Sequence, residues 1–180
     1  SKKFLVEENQ KPFEKFITDF GEKLVMCPAS QKNIFHLSHP GGLVLHSLNV
    51  LNMLSKVSQK EKSSDLLTSL VTISLFHDIG KLGTTTEDYY IETFDNWNNY
   101  RINEKLKHLS VPQRSLKILN DYKFTLTDDE YCAITNSYYL ISNNGLNVFN
   151  LPNLAINLSF AKVSAIKMEK EKFNPNKANK

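Results

Sequence analysis

The sequence predicts an all-α fold, and two observations carry that prediction. Glycine and proline are scarce, at six residues each in a chain of 180, so few positions interrupt regular structure. Apolar residues recur at intervals of three and four along several segments, which is the spacing that gives a helix one buried face. Hydrophobic residues make up 41% of the chain and charged residues 23%, an ordinary globular composition. We expect one domain over residues 1–172 and a disordered tail over residues 173–180.

The N-terminal half of the chain predicts two helices separated by an irregular segment. Apolar residues over residues 4–20 fall partly at helical spacing, and Gly21 is the expected end of this helix. Residues 27–42 predict a loop, and residues 43–57 predict the second helix. The apolar stripe of that helix is formed by His46, Val50, Met53 and Val57.

A third helix is predicted to end near the most informative residues of the chain. Ser64 or Asp65 can cap its start, and Gly80 is its expected stop after Ile79. Residues 82–101 are rich in aromatic residues, threonine and asparagine without a clean period, and predict a long loop or lid.

The C-terminal part of the chain predicts three more helices. One lies near residues 112–121, and a capping box from Thr127 to Glu130 opens another over residues 128–141. Pro152 suits the first turn of a long final helix that reaches Lys172. No segment predicts a convincing β-hairpin, although the apolar stretch from Leu146 to Phe149 can pair weakly.

Charge and cysteine content narrow the function classes. A net charge of only +3 gives no strong nucleic-acid signal. Cys27 and Cys132 lie far apart and form no CxxC motif, so we expect buried reduced thiols and a cytoplasmic protein. No apolar run approaches the roughly 20 residues needed to span a bilayer, and no segment has the pattern of a signal peptide.

The strongest chemical signal is the pair His77-Asp78 at the end of an apolar run. An imidazole and a carboxylate that are adjacent near a helix terminus can converge on one cation, and this donor mixture suits Zn, Mn, Fe or Mg. A metal there would polarise a phosphoryl oxygen and acidify a bound water. His46, taken alone, is more typical of a histidine satisfied within the core.

Five signals in sequence order resemble the HD superfamily of metal-dependent phosphohydrolases, close to a branch common in bacterial and phage genomes. They are Pro28-Ala29-Ser30, Phe35-His36, Gly41-Gly42-Leu43, His46 to Val50, and His77-Asp78-Ile79-Gly80-Lys81. Weaker similarity extends the resemblance over roughly the last 165 residues. The resemblance implies an α-helical bundle that cleaves phosphate esters, often of nucleotides. It also implies a metal held by His46, His77, Asp78 and a distant aspartate.

The chain departs from the family pattern at that distant aspartate. The register places Lys162 there, and two further family histidines correspond to Val111 and Ser137. His108 lies about one helical turn before Val111 and can replace that histidine if the helix begins early.

The position of Lys162 can be argued without the family. One helical face holds Leu151, Ala155, Leu158, Lys162 and Ala165. We therefore expect Lys162 to point inward and pair with Asp78, which puts a fixed cation where the family has a metal. The alternative is a lysine whose stem packs while its ammonium group reaches water.

Several residues can supply a binding pocket. The candidate cations are Lys81, Arg101, Arg114 and Lys162, and His36 belongs to the same ligand-binding set. The candidate stacking faces are Tyr89, Tyr90, Phe94, Trp97 and Tyr100. The alternatives are that Arg101 and Arg114 are solvated surface residues and that the aromatic residues pack the loop onto the bundle.

The leading hypothesis is a degenerate HD-domain protein that binds and sequesters a nucleotide or nucleotide-derived signal without hydrolysis and without a metal cofactor. If the chain is viral, immune evasion in the host cytoplasm is the corresponding role, by analogy alone. The second hypothesis is an active phosphohydrolase or phosphodiesterase that uses His46, His77, Asp78 and Lys81 with Mn, Fe, Zn or Mg. The third is a protein-interaction module.

Overall fold

The computed structural model describes residues 5–32, 35–58, 63–93, 99–138 and 150–172. Within these ranges the chain is mostly helical, as predicted, with six α-helices and one two-stranded sheet. The helices are α1 (Glu7–Met26), α2 (Gly42–Val57), α3 (Ser64–Phe76), α4 (Val111–Asp121), α5 (Asp128–Thr135) and α6 (Asn153–Lys172). The strands are β1 (Tyr90–Glu92) and β2 (Tyr100–Ile102).

Helix α1 does not end at Gly21, contrary to the prediction. A glycine inside a helix costs only about 1 kcal/mol relative to alanine. The rings of Phe16 and Phe20, just before Gly21, are buried and stacked and pack the helix against the core. The helix ends where Cys27 adopts an extended backbone conformation, because the following Pro28 disfavours helical geometry at the residue before it.

Helices α2 and α3 follow the prediction with shifted details. The buried face of α2 carries Leu43, His46, Ser47, Val50 and Leu54, whereas Val57 is 52% exposed and lies outside the stripe.

Ser63, rather than Ser64 or Asp65, caps α3 by accepting the backbone N–H of Leu66. Helix α3 ends at Phe76, three residues before the predicted end, and a 3-10 turn over Ile79–Leu82 follows.

The prediction of a long loop over residues 82–101 is wrong in part, because β1 and β2 form an antiparallel hairpin. Tyr90 lies opposite Ile102, and Glu92 lies opposite Tyr100. Aromatic and β-branched residues favour strands, but each strand has only three residues, too few for an alternating pattern to be seen. Phe94 and Trp97 lie outside the described residues.

Capping boxes mark the starts of α4 and α5. The predicted capping box between Thr127 and Glu130 is present, and α4 has a second one between Ser110 and Gln113. Helix α5 ends at Thr135 rather than near residue 141. The stretch from Leu146 to Phe149 lies outside the described residues.

Helix α6 packs against α2 and α5 and carries the predicted inward face. Ala155, Leu158, Lys162 and Ala165 are buried, and Leu151 is half-buried. Both cysteines are free thiols, Cys27 buried and Cys132 half-buried. Among the described helices, none has the length and apolarity needed to cross a membrane.

Helices α1, α2 and α3 border an apolar groove of about 600 Å³. Ile17, Leu48 and Leu67 line it and are each more than a third exposed. An exposed apolar surface of this kind is what the interaction-module hypothesis requires.

Candidate functional site

The turn that follows α3 places His77 and Asp78 inside the bundle, and α4 fixes that turn. Gly80 donates its N–H to Ser115 Oγ at 2.8 Å, and Ser115 Oγ donates to the carbonyl oxygen of His77 at 3.1 Å. A side chain on Gly80 would clash with the backbone of Val111 and Ser115. The sequence therefore needs glycine here for close approach of two backbones, not only to end a helix.

Asp78 is the centre of a buried charge cluster. Its Oδ1 accepts from Lys162 Nζ at 2.7 Å, and its Oδ2 accepts from Lys81 Nζ at 2.6 Å. The three side chains are almost fully buried, and Lys81 also donates to the carbonyl oxygen of Ala29 at 2.7 Å. The predicted pairing of Lys162 with Asp78 is confirmed, and the second ammonium group on the same carboxylate was not predicted.

The buried environment shifts the pKa values of the two lysines in opposite directions and lowers the pKa of Asp78. Burial lowers the pKa of Lys162 to about 8, although Asp78 favours its charged form. Burial also opposes the charged form of Lys81, but Asp78 outweighs it and raises the pKa of that lysine. Burial would raise the pKa of the Asp78 carboxyl, yet the two ammonium groups hold it well below its usual range.

Tyr138 adds an aromatic face that sequence reasoning missed. The Nζ of Lys162 lies 3.4 Å from the centroid of its ring, which is a cation–π contact. This tyrosine lies in the short turn that follows α5, and no motif pointed to it. The ring and the Asp78 carboxylate together account for the burial of a lysine at this position.

His46 and His77 converge on the same carboxylate. Their Nε2 atoms lie 3.9 Å and 3.7 Å from Asp78 Oδ2, and neither Nε2 has a hydrogen-bond partner among the described residues. The Nδ1 of His77 donates to the carbonyl oxygen of Ser74 at 3.0 Å. Such a bond fixes the imidazole tautomer and leaves Nε2 as a free lone pair, as in metal-binding histidines.

The donor set of His46, His77 and Asp78 is of a kind that can hold a divalent transition metal. One ligand atom from each lies within 4.8 Å of the others, and nitrogen with oxygen suits zinc, manganese or iron. Both carboxylate oxygens are already bonded to ammonium groups. An ion there would have to displace a lysine or lie beside two like charges, so the residues present fit this metal poorly.

Glu169 is a buried residue of this cluster that sequence reasoning missed. It is 1% exposed, and both of its oxygens lie 3.0–3.1 Å from the Nδ1 of His46. Asn49 donates to its Oε1 at 2.8 Å. Burial raises the pKa of the Glu169 carboxyl. The helical face through Lys162 and Ala165 reaches position 169 four residues later, and that continuation is the signal that could have found it.

His36 joins the cluster from the segment before α2. Its ring centroid lies 4.9 Å from that of His46, and its Nε2 has no partner within the described ranges. A second group that can hold a metal is formed by His36, His46 and Glu169, again with ligand atoms within 4.8 Å of one another. The structure therefore places His36 beside the predicted site residues.

The two candidate arginines have different environments. Arg114 is 3% exposed, lies over the Tyr89 ring at 5.7 Å and donates to the carbonyl oxygen of Leu106, so its assignment to the surface is wrong. Arg101 is exposed on β2, as the surface alternative predicts. The candidate stacking residue Trp97 lies outside the described residues.

The two positions that the resemblance aligns with further histidines, Val111 and Ser137, differ in burial. His108 is exposed and precedes α4, which begins at Val111, so this histidine does not replace the missing one. Val111 is half-buried, and Ser137 is buried next to Tyr138.

A cleft of about 510 Å³ lies beside the charge cluster, and Lys81 is part of its wall. The hairpin supplies the aromatic residues Tyr89, Tyr90 and Tyr100 to that wall. Its charged residues besides Lys81 are Glu22, Lys23, Asp88 and Glu92. The volume is in the range of small-molecule sites.

Comparisons of the chain with protein-family models, with curated proteins and with solved structures found no match. The resemblance to the HD superfamily therefore rests on the motif residues. The structure brings His46 of α2 next to the consecutive residues His77 and Asp78 after α3, which the order of these residues in the sequence does not by itself require.

The buried histidines predict a loss of stability in acid. Burial lowers the pKa of His36, His46 and His77 to about 3, whereas unfolded histidine titrates near pH ~6.5. Between these values the unfolded chain binds more protons, so the free energy of unfolding falls as the pH drops from 6.5 towards 3. Each histidine contributes about 1.4 kcal/mol per pH unit over that window.

Urea unfolding at a series of pH values, in the presence of a chelator, measures this slope. His77→Gln should reduce it by about one proton, and His108→Gln, at an exposed position, is the matched control. Equal slopes in the two variants would contradict the assignment.

Proposed function

We propose that this chain binds a phosphorylated nucleotide, or a signal derived from one, and holds it without hydrolysis, as a degenerate member of the HD superfamily. The observation that supports the proposal is that both oxygens of the Asp78 carboxylate form salt bridges, one with Lys162 and one with Lys81. Hydrolysis by this type of site needs a metal that shares the carboxylate and acidifies a water. With both oxygens engaged by lysine, the site retains positive charge for a phosphate but lacks the means to activate water.

Lys81 connects the cluster to the cleft. An ammonium group has three N–H donors, and two of them bond to Asp78 and to the carbonyl oxygen of Ala29. Since Lys81 also lines the cleft, the third N–H is the donor we assign to a phosphate oxygen. The tyrosines of the hairpin supply flat faces for a base.

The acidic residues around the cleft restrict the ligand. Lys23 neutralises Asp88 at 2.7 Å, but Glu22 and Glu92 remain as negative charges in the wall. A triphosphate would place three to four charges near them. We therefore favour a ligand with one or two phosphates, bound with its phosphate towards Lys81 and its base towards the hairpin.

The test incubates the full chain with a panel of cyclic, mono- and diphosphate nucleotides, removes free ligand, denatures the protein and identifies what is released. We expect one of them to return intact at about one equivalent per chain. Lys81→Met should weaken its binding by about tenfold or more, the range expected for a hydrogen bond to a charged group. Lys117→Met is the matched control, because that ammonium group is exposed on α4, pairs with Asp121 and lies outside the cleft lining, and it should change affinity much less.

Two outcomes would refute the proposal. One is catalytic turnover that disappears in His77→Ala, and the other is a panel in which nothing is retained. Circular dichroism and a thermal melt of Lys81→Met separate lost binding from lost folding.

The second candidate is an active metal-dependent phosphohydrolase. The observation that favours it is the pair of unpartnered Nε2 atoms on His46 and His77, each within 4 Å of Asp78 Oδ2. Their Nδ1 atoms are held by Glu169 and by the carbonyl oxygen of Ser74, which is the outer-shell support that metal-binding histidines have. Turnover in the presence of Mn²⁺, lost in His77→Ala, is the result that this candidate predicts.

A further inference from the structure

We propose that the chain binds one zinc ion, or a similar transition metal, between His36, His46 and Glu169, at a site separate from Asp78. One ligand atom from each of these residues lies within 4.8 Å of the other two. Two imidazoles and one carboxylate form a donor set that zinc accepts, with a water as fourth ligand. The sequence-based expectation was that the chain holds no metal cofactor, because Lys162 replaces a carboxylate near Asp78; a zinc ion at this separate site would contradict that expectation. The site goes beyond the proposed nucleotide binding.

The two clusters use opposite nitrogen atoms of one imidazole. The Nε2 of His46 faces Asp78 at 3.9 Å, and the Nδ1 of His46 faces Glu169 at 3.0 Å. A metal bonded to Nδ1 therefore has the His46 ring between itself and the carboxylate that the lysines occupy. The ammonium groups that disfavour an ion beside Asp78 are not in contact with Glu169 among the described residues.

The separation of His46 and Glu169 is close to what a zinc ion needs. Zn–N and Zn–O bonds of about 2.1 Å at a tetrahedral angle place the two ligand atoms about 3.4 Å apart. The Nδ1 of His46 and the oxygens of Glu169 are 3.0–3.1 Å apart. Zinc binds the Nδ1 lone pair in the tautomer that carries the ring proton on Nε2, the nitrogen that faces Asp78 Oδ2 at 3.9 Å. Its binding requires the two ligand atoms to move apart by only about 0.3 Å.

Within the described part of the chain, no lysine or arginine side chain pairs with the Glu169 carboxylate. Its partners among the described residues are His46 and Asn49, and no lysine or arginine in those ranges lies within 4 Å of it. The Asn49 amide supplies a hydrogen bond but no charge. A buried carboxylate in this state is costly unless it is paired or coordinates a metal, and a divalent ion supplies that partner.

His36 is held in position by a backbone conformation that few residues adopt. Leu37, which follows it, has φ of +48°, a left-handed conformation that disfavours any residue except glycine. Ser30 Oγ donates to the carbonyl oxygen of His36 at 2.6 Å, and Ala29 donates to that of Leu37 at 3.0 Å. The His36 side chain is 9% exposed with an unpartnered Nε2, so a strained segment presents a free imidazole nitrogen to the cluster.

The test uses zinc alone with the full chain. Protein stripped with a chelator is re-equilibrated with zinc, freed of excess metal and assayed for zinc per chain, and a Co²⁺-loaded sample is examined for the visible absorption of a nitrogen- and oxygen-coordinated ion. We expect about one ion per chain. His36→Ala and Glu169→Gln should each lower zinc affinity by at least about tenfold.

His77→Ala is the matched control, because His77 belongs only to the cluster with Asp78. It should leave zinc affinity within about threefold, a change of less than 1 kcal/mol. Loss of zinc in His77→Ala with retention in His36→Ala would place the ion beside Asp78 and overturn the proposal. Absence of bound zinc in the unmodified chain would also overturn it.

Glu169→Gln keeps the size of the side chain and removes only its charge, so this variant tests the site without opening a cavity. Circular dichroism confirms its folding. Because no nucleotide is present, failure of this experiment is distinguishable from failure of the proposed function.

Discussion

Asp78→Ala is expected to destabilise the protein by about 3–5 kcal/mol, the cost of leaving a buried charge without its partner. The carboxylate is the shared acceptor of two ammonium groups that are almost fully buried. Its removal leaves Lys162 with the Tyr138 ring and Lys81 with one carbonyl oxygen. Hydration cannot compensate Lys162 without opening the bundle, and Lys81 meets water only where it lines the cleft.

Lys162→Met is the matched variant for this prediction. It removes one cation, keeps the length of the side chain and leaves Asp78 paired with Lys81. A buried ion pair replaced by an apolar residue of similar volume is often neutral in stability, so we expect a change of less than about 1.5 kcal/mol. The double variant Asp78→Ala/Lys162→Met should recover part of the stability lost in Asp78→Ala, because one of the two unpaired ammonium groups is then absent.

Urea unfolding of the three variants at pH 7 measures these differences. Equal stability of Asp78→Ala and Lys162→Met would mean that water reaches the charges of Asp78, Lys81 and Lys162. The description of these three side chains as a buried charge cluster would then be wrong.

The sequence predicted the inward direction of Lys162 because helical periodicity determines which positions share a face, whatever the family. It predicted that His77 and Asp78 lie at a helix end, since an apolar run followed by glycine marks that boundary. It did not predict the second ammonium group. Lys81 reaches Asp78 across a 3-10 turn that follows the end of α3 at Phe76, and residues three apart are aligned in such a turn.

The rest of the site depends on long-range packing. Glu169 contacts His46 across 123 positions of sequence, and only the arrangement of α2 against α6 brings them together. His36 is placed by the positive φ of Leu37, a conformation that no sequence pattern suggests for leucine. The hairpin was missed because two strands of three residues carry almost no periodic signal.

Lys162→Asp is expected to create a metal site beside His46, His77 and Asp78 where the unmodified chain has none. The substitution returns an oxygen ligand and removes the like charge that opposes a divalent ion. Aspartate is two atoms shorter than lysine, whose Nζ lies 2.7 Å from Asp78. The space left between the two carboxylates suits an ion with metal–oxygen bonds of about 2.1 Å.

This experiment is made in a His36→Ala background, so that an ion gained cannot be assigned to the cluster with Glu169. Without metal, Lys162→Asp should be less stable than its parent, because two buried carboxylates then share Lys81. With Mn²⁺ or Zn²⁺ at 100 times the dissociation constant it should regain about 2.7 kcal/mol through linkage.

Lys162→Asn is the control, because it removes the same charge without supplying a carboxylate. Thermal melts and metal titrations of both variants measure the difference. We expect Lys162→Asp to bind the metal at least about tenfold more tightly than Lys162→Asn. Equal metal affinity in the two variants would show that the new carboxylate is not a ligand and that Lys162 does not occupy a metal position.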